Sequence, residues 1–263
     1  MSGASAEEGQ RQPRAPEPHL EGFAHAHRGR ERGSSPFSDV LCAVDGSRGS
    51  GEAVRQAIAL CRPGASLRFI AVHQTRGRGL TAATGLSEQQ ARDALDEAAL
   101  LARQADIDVS TELHGGVRTS DVLLGEAEHH DLLVIGGYGG KRIGGIMLGN
   151  TATRIAHRSA RPLLVARRTA DGSDFPQCVL LASDGTAGSW TAARIATRVA
   201  QARGSELRVA HVPVGVHPDR DREVANQLVM IERAVGAPPD VSETPGQPAE
   251  RIAEAARAHQ ASL

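Results

Sequence analysis

The chain has 263 residues, enough for one large domain or two ordinary ones, and carries a formal net charge of −1 with only 2% aromatic residues. That balance offers no field to attract nucleic acid or an anionic membrane, and too few rings for a base-stacking platform. No apolar run approaches the roughly 20 residues of a membrane span, so neither membrane nor nucleic acid is an expected partner.

Residues 1–36 are rich in Gly, Pro, Glu, Arg, Ser and His and lack the apolar core of a signal peptide. They read as a disordered tail, with His19, His25 and His27 solvated. Asp39–Val44 is a short apolar run of the buried parallel-strand type. Ser50 is the expected N-cap of a helix to about Cys61, stopped by Arg62-Pro63-Gly64. Leu67–His73 reads as the second strand, and Gln74–Leu86 as a polar loop. Ser87 opens a capping box with Gln90, and Ala91, Ala94, Leu95, Ala98 and Leu101 form a helical stripe behind it. Asp108–Leu113 alternates as a third strand, a helix spans about Ser120–His129, and Leu132–Ile135 is the fourth strand. A helix over Thr151–Ala160 and a fifth strand, Pro162–Ala166, follow. Strands alternating with helices imply right-handed crossovers and a parallel sheet covered on both faces. The three cysteines, Cys42, Cys61 and Cys178, show no C-x2-C spacing and read as small buried residues of a reducing, cytoplasmic compartment.

The segment Ile135–Thr151 carries the chemistry. Gly136, Gly139 and Gly149 stand in the spacing G-x2-G-x9-G between the fourth strand and the next helix. Strand, glycine loop and helix start, in that order, make a phosphate cradle, because the backbone can approach an anion and the first-turn N–H groups point at it. The spacing fits neither commoner phosphate loop. A G-x4-G-K-[ST] loop fails because Lys141 is followed by Arg142, and G-x-G-x-x-G fails because Arg142 occupies its last position. Lys141 and Arg142 either neutralise phosphate or are simply solvated.

This loop, together with Val44-Asp45-Gly46-Ser47 at the end of the first strand, resembles the universal stress protein family over about Phe37–Arg168. The resemblance implies an α/β fold: an open parallel five-stranded sheet, order 3-2-1-4-5, with helices on both faces. It implies an adenine nucleotide, ATP with Mg²⁺ on its phosphates, as the ligand. It places that nucleotide against Ala43, Val44, Asp45, Val72, Ile135, Gly136, Gly139, Gly149, Asn150 and Thr151. Asn150 stands where the family pattern has Ser or Thr, and is itself a good N-cap and hydrogen-bond donor. The family also implies pairing of copies through the fifth strand, so a homo-oligomer is expected.

A repeat follows. Val179–Ser183 with Asp184-Gly185-Thr186 mirrors Asp39–Val44 with Asp45-Gly46-Ser47, Ser189 matches Ser50, Leu207–Val212 mirrors Leu67–Val72, and Gly246–His259 mirrors Gly116–His129. Three regions are expected: a tail at 1–36, a nucleotide-binding domain at 37–170, and a partial second copy at 171–263. Leu263 aligns with Leu133, so the copy is expected to lack the glycine loop and to leave its first strand as an edge.

Three function classes fit: a nucleotide-binding regulator, a nucleotide-free pairing module, and a slow nucleotide hydrolase. No paired carboxylates or Ser/His/Asp set accompanies the loop, so no catalytic residue is assigned. His73 is the one base near the cleft. No metal site is expected, since His129 and His130 lack a carboxylate or thiol at ligand spacing.

Overall fold

The computed structural model describes residues 37–74, 85–116, 118–137, 149–168 and 175–263. Five strands form the first sheet: β1 (Phe37–Ala43), β2 (Cys61–Gln74), β3 (Val109–Gly116), β4 (Leu132–Gly136) and β5 (Leu163–Ala166). Their order is β3-β2-β1-β4-β5, and every pairing is parallel. Among the described residues, four helices connect them: α1 (Arg48–Leu60), α2 (Glu88–Gln104), α3 (Thr119–Ala127) and α4 (Asn150–Arg158).

The period of two along each strand sorts side chains between two cores. Val40, Cys42, Leu67, Phe69, Leu132 and Val134 pack under α1 and α2. Leu41, Ile70, Val72, Leu133 and Ile135 pack under α3 and α4. Both faces are therefore buried, which is why these strands read as nearly continuous apolar runs. Cys42 and Cys61 lie in the first of these cores as free thiols. Burial raises both, Cys61 to about 12, and Cys61 beside Cys42 raises the latter further.

Several boundaries differ from expectation for local reasons. Helix α1 starts at Arg48, because Ser47 is its N-cap and accepts from Ser50 N at 3.2 Å. Ser50 instead ties the helix back to the strand end, its Oγ accepting from Asp45 N at 3.0 Å. Helix α4 starts at Asn150, with Gly149 as N-cap, so Asn150 is the first helical residue and not the cap. Strand β2 begins at Cys61, directly after α1 stops at Leu60. The capping box of α2 forms as expected between Ser87 and Gln90.

A second sheet carries β6 (Cys178–Ser183), β7 (Glu206–His211) and β8 (Asp240–Glu243) in the order β6-β7-β8, with α5 (Ala187–Arg203), α6 (Pro218–Val235) and α7 (Pro248–Ala258). It reproduces the order β1-β2-β3 of the first. The strand-to-helix corners match in detail. Asp45 Oδ1 accepts from Ser47 N at 3.0 Å, and Asp184 Oδ1 accepts from Thr186 N at 3.0 Å. Gly46 and Gly185 share a left-handed φ, +71° and +74°. Beyond α7 the backbone returns to β6, where Leu180 N donates to Leu263 O at 2.7 Å and Ser262 N to Cys178 O at 3.0 Å. That is the side on which β4 flanks β1 in the first sheet. Among the described residues, no helix is long and apolar enough to cross a membrane.

Gly125, exposed on α3, offers a first test of local energetics. A methyl group there would meet no atom within 4 Å. Gly125→Ala is therefore expected to stabilise the protein by about 1 kcal/mol, through helix propensity alone. A rise in the urea midpoint checks this.

Candidate functional site

In an open parallel sheet the strand order reverses once, and the connections on either side leave for opposite faces. The crevice between them, outside the carboxyl ends of the strands, is where such folds take ligands. Here the reversal lies between β1 and β4. A cleft of about 540 Å³ opens at that place, bounded by the ends of β1, β2 and β4 and by the first turns of α2, α3 and α4.

Its lining divides by chemistry. Val44, Ile70, Val72, Leu123 and Ile135 supply an apolar wall. Asp45, Ser47, Ser50, Gln90, Thr119 and Thr151 supply polar groups. Helix α4 points its first turn into this space through Thr151 and Ala152. Its N-cap is a glycine, which offers no side chain to cap the turn, and the turn presents the positive end of a helix dipole.

Of the residues singled out in the sequence, Ala43, Val44, Asp45, Val72, Ile135, Gly136 and Thr151 line the cleft together. Gly149 and Asn150 sit at the start of α4 without lining it. Gly139, Lys141 and Arg142 lie outside the described residues. His73 does not line the cleft. Asp45 is exposed, lines the cleft and holds the turn into α1 through its Oδ1, which accepts from Ser47 N.

Gly136 has a packing reason for being glycine. An added Cβ would lie 2.6 Å from Gly49 C and 2.7 Å from Ser50 N. Gly49 is held reciprocally, since its Cβ would lie 2.4 Å from Gly137 O. The end of β4 and the start of α1 thus touch backbone to backbone.

Sequence reading missed Gln90 and Thr119 as cleft residues. A signal existed. Both belong to first turns of helices that follow strands of a parallel sheet, and such turns gather at the carboxyl edge. Gln90 had been absorbed by its capping role, which its Oε1 performs toward Ser87 N at 3.0 Å.

Residues 36–167 match the universal stress protein family, half of the whole chain. The chain belongs to that family. Among solved structures, a universal stress protein from Archaeoglobus fulgidus DSM 4304 is 19% identical, with 84% of each chain covered and a TM-score of 0.66. A putative universal stress protein from Pseudomonas aeruginosa UCBPP-PA14 is 14% identical, covering 86% of this chain and 81% of its own, at a TM-score of 0.63. Both likenesses concern the fold. A universal stress protein in complex with cAMP is 26% identical over 50% of this chain and 97% of its own, at a TM-score of 0.41. A comparison with curated proteins finds no match. In this universal stress protein the matched residues contain β1 to β5 and the whole described lining of the cleft.

Proposed function

We propose that the cleft binds an adenine nucleotide, with ATP and Mg²⁺ as the working pair, and that the protein acts as a nucleotide-dependent regulator in stress responses. The observation that carries this reading is the union, in one cleft, of an apolar slot and a helix start whose N-cap is a glycine. A purine ring needs the first and a phosphate chain the second. The volume of about 540 Å³ falls among small-molecule sites, which run from roughly 300 to 1,000 Å³.

In this reading Val44, Val72, Ile135 and Leu123 bury the ring, and the backbone at Ala43 and Val72 gives it polar contacts. Thr151 and the first turn of α4 take the phosphates, with Gly136, Gly139, Gly149 and Asn150 shaping the loop around them. Mg²⁺ brings charge neutralisation to the phosphate oxygens, and the Asp45 carboxylate stands on the cleft wall to orient it. The nucleotide unit corresponds to 37–170 and the partial copy to 171–263. A second copy of the chain is the natural protein partner. It would pair along β5, the edge strand of the sheet among the described residues.

Titration calorimetry of the full chain with Mg-ATP tests the reading. Saturable one-site binding is expected. Thr151→Glu sets a carboxylate at the anion end of the cleft, on an exposed position that folding tolerates. It is expected to weaken binding at least about 100-fold, on the order of 3 kcal/mol. No heat at millimolar Mg-ATP, or equal affinity in the variant, would sink the proposal.

A further inference from the structure

A second constellation lies one strand away from the cleft. Glu112 and His114 are two residues apart on β3 and so share a face of the sheet. Helix α3 returns over that face and brings Glu126 above them. One ligand atom from each of the three lies within 4.8 Å of the others, and all three side chains are half-buried. We infer that Glu112, His114 and Glu126 form a binding site for a divalent first-row cation of the Zn²⁺ class.

The chemistry fits that class. One imidazole and two carboxylates are a mixed nitrogen and oxygen set, suited to Zn²⁺ and its neighbours more than to Mg²⁺ or Ca²⁺. Bonds of about 2.0–2.2 Å around a tetrahedral ion place ligand atoms some 3.3–3.5 Å apart. Rotation of the two glutamate side chains covers the difference. Three protein ligands leave the fourth position to water.

The surroundings prepare the site. His114 Nε2 stands 2.7 Å from Glu112 Oε1, the nitrogen and oxygen an ion would bridge. Arg68 Nη1 donates to the other oxygen, Oε2, at 3.2 Å, and so orients the carboxylate without occupying the shared side. Among the described residues, Glu126 has no ion-pair partner of its own, leaving a half-buried carboxylate aimed at the pair below it.

Position gives the site its meaning. His114 is the register partner of Val72, which lines the cleft. Glu126 lies one turn beyond Leu123, another cleft residue. An ion there would fasten α3 to the edge strand β3 and stiffen one wall of the cleft. The site stands apart from the nucleotide proposal and does not rest on it.

The test uses ZnCl₂ alone, titrated into the nucleotide-free full chain and into Glu126→Gln and His114→Gln. Zinc is expected to bind the parent chain and to raise its melting temperature. Both variants are expected to bind about tenfold or more weakly and to lose that rise. Glu126→Gln keeps the shape of the side chain, so its metal-free melting point reports folding separately. No saturable zinc binding overturns the inference. So does unchanged affinity in both variants, which would place the ion elsewhere, for instance on His19, His25 and His27 of the tail.

Discussion

Gly136→Val is expected to destabilise the protein by about 3 kcal/mol or more, among the largest single effects in the first sheet. The added Cβ would meet Gly49 C, Ser50 N and Gly49 O at 2.6, 2.7 and 2.8 Å. All three are backbone atoms of the first turn of α1, so no side chain can swing away to make room. Helix α1 itself must slide, and with it Ala53, Val54 and Ala57, which pack into the core under β1 and β4. Valine adds β-branched bulk at the point of closest approach. A urea titration followed by far-ultraviolet circular dichroism measures the loss. A change under about 0.5 kcal/mol, ordinary for a surface site, would show that this contact can relax cheaply. The same slide would carry Ser47 and Ser50 with it, so nucleotide binding is expected to fall along with stability.

Phe69→Ala is the second large effect. Phe69 is fully buried on β2, between Cys42 of β1 and Thr111 of β3 in register, and projects under α1 and α2. Truncation of a buried phenylalanine costs about 3–5 kcal/mol, because contacts are lost and the cavity closes only in part. Few aromatic rings are available to refill the space, since only 2% of residues are aromatic. A fall in melting temperature on the order of 10 °C is expected. A fall of only a degree or two would mean that neighbouring aliphatic residues collapse into the hole.

The sheet was legible because buried parallel strands announce themselves as apolar runs, and β1, β4 and β5 could be placed within a residue or two from that signal. The strand order came from the family resemblance carried by the glycine spacing and the Val44-Asp45-Gly46-Ser47 corner. Propensity did not settle where α1 begins. Ser47 and Ser50 are equally good capping residues on paper. The choice depends on Asp45 N, which finds Ser50 Oγ only once the corner has formed. The cap of α4 falls one residue earlier than the sequence suggests, at Gly149 instead of Asn150. Helix α6 carries a start signal, Pro218 in its first turn with Asp219 and Asp221, and holds the place between second and third strands that α2 holds in the first sheet. The Glu112–His114–Glu126 constellation was illegible for a different reason. It joins a strand to a helix that crosses back over it, and no linear spacing encodes that crossing.

The Asp-Gly-Ser corner also proved less specific than it looked. Asp184-Gly185-Thr186 builds the same hydrogen-bonded turn, yet Arg220 of α6 presses its backbone onto Gly185, where an added Cβ would lie 2.4 Å from Arg220 O. The corner therefore belongs to the strand-to-helix passage itself.

The hidden thiols have a practical consequence. Cys42, Cys61 and Cys178 are all free and buried, and burial keeps Cys42 and Cys61 protonated at neutral pH. A thiol reagent can reach Cys42 only when the chain opens around β1. The speed of its labelling then counts opening events in the folded ensemble, as a clock wired into the central strand. Slower labelling on adding a nucleotide or an ion would register how far each ligand holds the sheet shut, with no dye or tag attached.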